Sequence, residues 1–332
     1  MEAFRLLKVL DLQEAPIIFL PENIGDLFHL RYPSVRHTKT KELPKSIGKL
    51  HNLQTLDVKC SFVHELPDEV KYLINLLYLL GYNYDYETDF SVSAQKGLKL
   101  KHGLGRLQNL QKLYLVEASD GMTLFRDFDE PPESLEVCSE EDGMLDLQFI
   151  SSPPQYLQRI YLKGRLAKVP DWIPKLKYLA TVSLMWSGLM TDPVNILQDL
   201  THLSELVLQD SFLGEELVFQ ATGFQKLKIL KLYDMNTLTK LTIEKGALPL
   251  LELFKIGPIP RLNTVPEGIY HLRSLSALRF YDVSKVFVHK LLPDEGQDFW
   301  IIEHVKTVLF HYQIKGERYK SCTLNDLIFL NH

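Results

Sequence analysis

Apolar residues recur along this chain at fixed intervals. Leu7, Leu30, Leu53 and Leu76 stand 23 residues apart, and each opens a stretch approximating L-x-x-L-x-L. At Leu7, Leu10, Leu12 and at Leu53, Leu56, Val58, spacings of three and two put three apolar residues on one side of a short strand and turn the residues between them outward. The register continues through Leu110, Leu113, Leu115 and Leu157, Ile160, Leu162, then through Leu179, Leu203, Leu227, Leu251 and Leu275. Eleven strands are readable in this way. The gap between Leu110 and Leu157 leaves room for one more whose pattern is lost, and Val305, Val308, Phe310 read as a degenerate final strand that closes the array. One such unit cannot bury its own leucine face, so stability requires stacking of neighbours.

A period of this length predicts an α/β fold of one kind, a leucine-rich-repeat solenoid. It is a curved horseshoe with a parallel β-sheet on the concave face and short helices and loops on the convex face. The predicted domain is residues 1–312 with about 12 repeats, followed by a C-terminal tail, 313–332. The return path of each repeat has its own signature, in Leu20-Pro21 to Leu27, Leu43-Pro44 to Leu50 and Leu66-Pro67 to Leu73, with variants at Val169-Pro170 and Val265-Pro266. Proline lacks an N–H and has a fixed φ, which suits it to the start of a short helix, with the following Ile and Leu facing the core.

Two stretches break the pattern. Residues 82–103 read as a looped repeat, with Tyr82, Tyr84 and Tyr86 beside Asp85, Glu87 and Asp89. Residues 117–146 form an irregular insertion of eleven acidic residues against one basic, Arg126; the local net charge is −10 where the whole chain carries −5. This insertion is either a solvated loop or an acidic arm that docks on a basic face of a partner. The asparagine usual after each strand is missing, its place taken by residues such as Thr38, Ser61, Ser187 and Ser211. Irregular corners are therefore expected. Pro33, at a strand position, should weaken pairing in the second repeat.

Candidate binding residues are those pointing out of the strands. These are Tyr114, Tyr161, Lys163, Trp186, Asp210, Lys231, Tyr233, Asp234, Lys255, Arg279, Tyr281 and Asp282. Stacking brings like positions into columns. The C-terminal half should therefore present a basic column beside an acidic one, with aromatic residues set among them, on a concave face suited to protein partners. The same residues could also merely pair with one another across neighbouring strands.

Composition narrows the function classes. The chain is 45% apolar and 24% charged, an ordinary globular balance. It lacks an 18-residue apolar run or a signal-peptide core. Cys60, Cys138 and Cys322 lack paired or metal-ligand spacing. With no N-x-S/T acceptor either, a cytoplasmic location is expected. Scattered histidines and the absence of catalytic motifs argue against an enzyme or a bound cofactor, and the absence of a basic block argues against nucleic acid.

The LPxxIGxL turns, with LQRIYLKGRLAKVPDWIPKL, GFQKLKILKLYDMNTLTKLTIEKGALPLLELFKI and VPEGIYHLRSLSALRFYDV, resemble the leucine-rich-repeat region of plant disease-resistance proteins, closest to the coiled-coil class of nucleotide-binding immune receptors. The resemblance covers about residues 1–312. It implies recognition of a pathogen effector or a guarded host protein and restraint of a nucleotide-binding switch. No P-loop is found, since Ile47-Gly48-Lys49 lacks the upstream glycine and the following Ser/Thr. The first strand should then leave an open edge, against which a nucleotide-binding domain is expected to pack in cis or in trans. The alternative reading is a self-contained cytosolic repeat scaffold of the Ras-binding type, which shares LPxxIxxL.

Overall fold

The structure is a computed structural model that describes residues 4–84, 95–99, 106–117, 132–139, 143–148, 154–293, 296–313, 319–324 and 326. The chain divides into two compact units, Met1–Arg165 and Leu166–His332.

In the first unit the short strands β1 (Val9–Asp11), β2 (Tyr32–Ser34), β3 (Thr55–Asp57) and β4 (Tyr78–Leu80) run parallel in sequence order. Asn83–Tyr84 (β5) and Gln95–Lys96 (β6) pair as a small antiparallel ladder within the irregular stretch 82–103, and Leu98–Lys99 (β7) runs parallel to β8 (Lys112–Glu117). The rest of that stretch, 85–94 and 100–103, lies outside the described residues. The sheet then continues from β4 through β8 to β9 (Ser134–Cys138) and β10 (Arg159–Lys163). Pro33 has its expected effect on one side of β2 only, since β1 and β2 keep a three-residue register that includes Leu10 with Pro33. β3 and β4 are in register at three positions, whereas β2 and β3 share only Ser34 and Asp57.

Four return paths contain the Leu-Pro or Val-Pro signature as 3-10 helices, at Glu22–Asp26, Lys45–Lys49 and Asp68–Tyr72 here and at Glu267–His271 in the second unit. The proline stands one residue before each, in extended conformation, and its carbonyl accepts the first turn's hydrogen bond, as from Ile24 N at 3.0 Å. The glycine of the signature has a packing reason. A Cβ on Gly48 would stand 2.6 Å from the carbonyl oxygen of Glu69 in the next helix. Only a bare backbone allows neighbouring turns to stack this closely.

The acidic stretch 117–146 is not wholly irregular. Ser134–Cys138 form β9, paired with both β8 and β10, with Leu135 and Val137 buried. Burial of alternate side chains makes this the repeat whose pattern was lost, so deleting 117–146 would remove a strand from the sheet. Residues 118–131 and 140–142 lie outside the described residues.

In the second unit a parallel sheet runs through β11 (Thr181–Met185), β12 (Glu205–Gln209), β14 (Ile229–Tyr233), β16 (Leu253–Ile256), β17 (Ala277–Tyr281) and β18 (Thr307–Tyr312). A two-stranded sheet of β13 (Glu216–Phe219) and β15 (Lys240–Ile243) and the single-turn helices α1 (Pro193–Leu197) and α2 (Lys285–His289) occupy the return paths. The array is not closed by β18. Lys320–Thr323, from the region read as a tail, form β19 and pair antiparallel with it. Inward positions stack into columns such as Leu206, Leu230, Phe254, Leu278 and Leu208, Leu232, Ile256, Phe280, Phe310, buried throughout, with the Phe280 and Phe310 rings stacked at 5.2 Å.

The first repeat departs from this burial. Leu7, Leu10 and Leu12 are only half-buried where their counterparts Leu30, Leu53 and Leu56 are fully covered. Phe4, Leu6, Val9, Ile18, Phe19 and Phe28 are exposed around them, and among the described residues β1 pairs on one side alone.

Candidate functional site

Strand alternation accounts for the candidate residues that lie within the strands of the second unit. Lys231, Lys255 and Arg279 are the central outward residues of β14, β16 and β17 and align directly across the ladder, while Tyr233 and Tyr281 align with Gln209 and His311 two residues further on. Neighbouring strands lie about 4.8 Å apart, so three cations occupy one short row. Glu205 forms an ion pair with the first, at 2.6 Å from Lys231 Nζ, and acts on Lys255 only more weakly. Lys255 has no ion pair among the described residues, and the Arg279 Nε is buried without a hydrogen-bond acceptor. Burial first, then the charges of Lys231 and Arg279, push the Lys255 ammonium below the usual lysine range.

The aromatic column depends on a gap. Gly257 falls between Tyr233 and Tyr281 and has no side chain, so the two rings meet edge-on across the empty position at 5.5 Å. Tyr281 in turn stacks on His311 at 4.5 Å and meets the Tyr319 ring at 5.6 Å. Burial drives the Tyr233 hydroxyl well above its ordinary range. The His311 imidazole is pushed down by burial, then by Arg279 and Lys255. Its Nδ1 lies 2.8 Å from Ser321 Oγ, and its buried Nε2 has no partner among the described residues.

The third column has a backbone cause. Trp186, Asp210, Asp234 and Asp282 each follow a strand and each adopt positive φ, between 44° and 54°, as Glu14, His37 and Cys60 also adopt positive φ in the first unit. At these corners the N–H turns to the next strand, Trp186 N donating to Gln209 O at 2.8 Å and Asp210 N to Tyr233 O at 3.0 Å. Aspartate is one of the few residues besides glycine that tolerates this conformation, so the recurring Asp satisfies the corner as well as lining the face. The carboxylates are also engaged locally. Asp234 accepts from Gln209 Nε2 at 2.8 Å, and Asp282 accepts from Gln313 N at 3.0 Å and from the Tyr319 hydroxyl at 2.8 Å. The missing asparagines are replaced in part by hydroxyls, as Thr38 and Ser61 donate to Val35 O and Val58 O at 2.7 Å.

Tyr114, Tyr161 and Lys163 belong to the first unit, where they surround Glu136 rather than an aromatic gap. Tyr161 is in register with Glu136 and Lys163 with Cys138, while Tyr114 sits at a register shift in β8 and meets the Tyr82 ring at 5.7 Å. Burial raises the Glu136 carboxyl to about 7 against the pull of Lys112 and Lys163, and burial lowers Lys163 to about 8 despite Cys138 and Glu136. Burial also raises the Cys138 thiol to about 12, so this cysteine remains a protonated, unreactive group. A carboxyl that binds its proton more tightly folded than unfolded contributes stability below its unfolded value near 4.5, and that contribution is lost as pH rises to about 7. Glu136→Gln should therefore remove about 2–3 kcal/mol of the wild-type loss of stability across that pH range, measured from urea unfolding midpoints.

His311, Tyr319 and Glu205 join the outward face without having been singled out. His311 could have been found by extending the degenerate strand Val308, Phe310 by one residue, which places it on the Tyr233–Tyr281 column.

Both the repeat geometry and sequence comparison give the same family. A model described as leucine-rich repeat region matches residues 1–129 and 132–282. The chain belongs to the leucine-rich-repeat family. Among curated proteins it is similar to disease resistance protein RPP8 of Arabidopsis thaliana, 27% identical over 92% of this chain and 36% of that protein. Disease resistance protein RPM1 of the same plant is 30% identical over 47% of this chain and 17% of its own length. The chain thus spans about a third or less of these relatives. Among solved structures, a leucine-rich-repeat protein of Leptospira interrogans superposes with a TM-score of 0.56 at 20% identity, covering 92% of this chain and 72% of that one. An internalin of Listeria monocytogenes gives 0.52 at 13% identity, with 92% and 88% covered. At these identities the structural matches establish the fold alone. No helix among the described residues is long and apolar enough to cross a membrane.

Proposed function

We propose that this chain is the protein-recognition module of a plant defence receptor, sensing a pathogen effector or a guarded host protein through the outward residues of its strands and regulating a nucleotide-binding switch domain. The similarity to plant disease resistance proteins across nine-tenths of the chain carries this reading. Three free cysteines, two of them buried, support a cytoplasmic setting. The contact with the switch domain is assigned to the first repeat, where half-buried leucines and a strand paired, among the described residues, on one side leave an apolar surface of the kind that marks an interaction site. A protein partner covering this end would bury Leu6, Val9 and Phe19, which are now 79%, 57% and 69% exposed.

The test is a pull-down of the nucleotide-binding domain of an RPP8-type protein by the full chain and by its Val9→Lys/Phe19→Lys variant. Because both side chains are exposed, the substitutions should leave folding intact, checked by circular dichroism. Binding by the wild type and at least tenfold weaker binding by the variant are expected. Equal binding by both, or none by the wild type, would overturn the assignment of this edge.

A further inference from the structure

We infer that the row Lys255–Arg279, walled by Tyr233, Tyr281 and His311, is a carboxylate pocket that recognises an aspartate or glutamate side chain in an acidic segment of a protein partner. The inference rests on the reading of the outward face as a protein-recognition surface, and it gives that surface a chemistry. Two features of the second unit support it independently of the sequence pattern. First, among the described residues neither the Lys255 ammonium nor the Arg279 guanidinium has an ion-pair or hydrogen-bond partner. The buried Arg279 Nε is shut off from an incoming group, so an anion would be met by the terminal nitrogens of that guanidinium and by the Lys255 ammonium. Second, the cations are crowded with little compensation, since Glu205 is ion-paired with Lys231 and is the smallest of the influences on Lys255, and Lys255 and Arg279 stand on adjacent strands in direct register. Like charges directly opposite one another on a sheet are unfavourable, and a seated anion converts that repulsion into attraction.

The surroundings select the kind of anion. Asp210, Asp234 and Asp282 stand at the corners that follow the strands. They lie three residues beyond the level of the basic row, about 10 Å away at the rise of a strand. A polyanion extended along the strands would run into them, so the surroundings favour a single compact anion seated at the level of the basic row. A single carboxylate fits, because the planar guanidinium of Arg279 offers paired donors to its two oxygens and the Lys255 ammonium a point charge beside them. The aromatic wall supplies apolar area of the kind found at interface hot spots. Tyr319 is held to Asp282 by its hydroxyl and packs on Tyr281, so the wall is pre-organised rather than assembled on binding.

The probe is a phage-displayed library of random dodecapeptides selected on the full chain, with recovered peptides measured by fluorescence anisotropy. Recovered peptides should share an Asp or Glu whose replacement by Asn or Gln weakens binding at least tenfold. Lys255→Glu/Arg279→Glu should weaken it at least tenfold as well, Lys255→Gln/Arg279→Gln should do so by a smaller factor, and an Asp→Lys or Glu→Lys peptide should regain affinity for the charge-reversed chain. Circular dichroism of each variant separates lost binding from lost folding. Peptides that depend on Tyr233 and Trp186 but carry no essential acid would overturn the carboxylate pocket and leave the recognition surface standing. Peptides insensitive to every outward substitution, or no recovered peptides at all, would overturn both. A single-stranded oligonucleotide whose binding depends on Lys255 and Arg279 would likewise overturn the assignment to a protein carboxylate.

Discussion

Phe254→Ala is expected to lower the stability of the unit spanning residues 166–332 by about 3–5 kcal/mol. Phe254 is fully buried in β16, between Leu230 on one side and Leu278 on the other. Its loss leaves a cavity that two neighbouring strands line and cannot readily fill. The chain's three tryptophans, Trp172, Trp186 and Trp300, all lie in this unit, so their fluorescence during urea unfolding reports on it directly. Val9→Ala provides the contrast. Val9 occupies a strand too, but it is 57% exposed. Its truncation should change stability by no more than about 0.5 kcal/mol. Equal costs at the two positions would mean that stacked inward columns do not hold the fold together.

The second large effect is expected at Gly257. Its φ is +101°, and a Cβ there would stand 2.2 Å from the Tyr281 carbonyl oxygen, an atom of the next strand's backbone that cannot swing away. Gly257→Val combines left-handed strain with a backbone clash and should cost about 2–5 kcal/mol. It should also disturb binding, because the new side chain fills the gap across which Tyr233 and Tyr281 touch. Gly188→Ala separates the two causes. Gly188 has φ +57° with its nearest neighbour at 3.9 Å. Strain remains there without the clash, and the cost should be about 1 kcal/mol. The same tryptophan-monitored unfolding measures both variants.

The frame is legible because burial forces a period on the sequence. Every inward leucine must meet the leucine one repeat away, and that requirement shows directly as a spacing between apolar residues. Other features leave no such mark. β9 is hidden because its inward pair, Leu135 and Val137, is set among acids that dominate the local composition, although Leu113, Leu135 and Ile160 follow one another at close to the repeat interval. β19 is hidden for a different reason. Its pairing is antiparallel and its residues are largely exposed, so no inward period signals it.

For the candidate face, the columns themselves follow from strand alternation. The backbone demand at their ends does not, because positive φ has no hydrophobic signature. The recurrence of aspartate at Asp210, Asp234 and Asp282 is the clue that a left-handed corner is required there.

The central claim is that recognition is carried by residues turned out of the strands while the leucines turned in supply the frame. Hydroxyl-radical footprinting of the chain with and without a selected peptide tests it most directly, since tyrosine and tryptophan side chains report their own solvent exposure. Tyr233 and Tyr281 should lose reactivity on binding, while Tyr270 and Trp300, which pack together on the return path at 5.4 Å and stay 38% and 46% exposed, should not change. Protection of Tyr270 and Trp300 with Tyr233 and Tyr281 unchanged would contradict the claim.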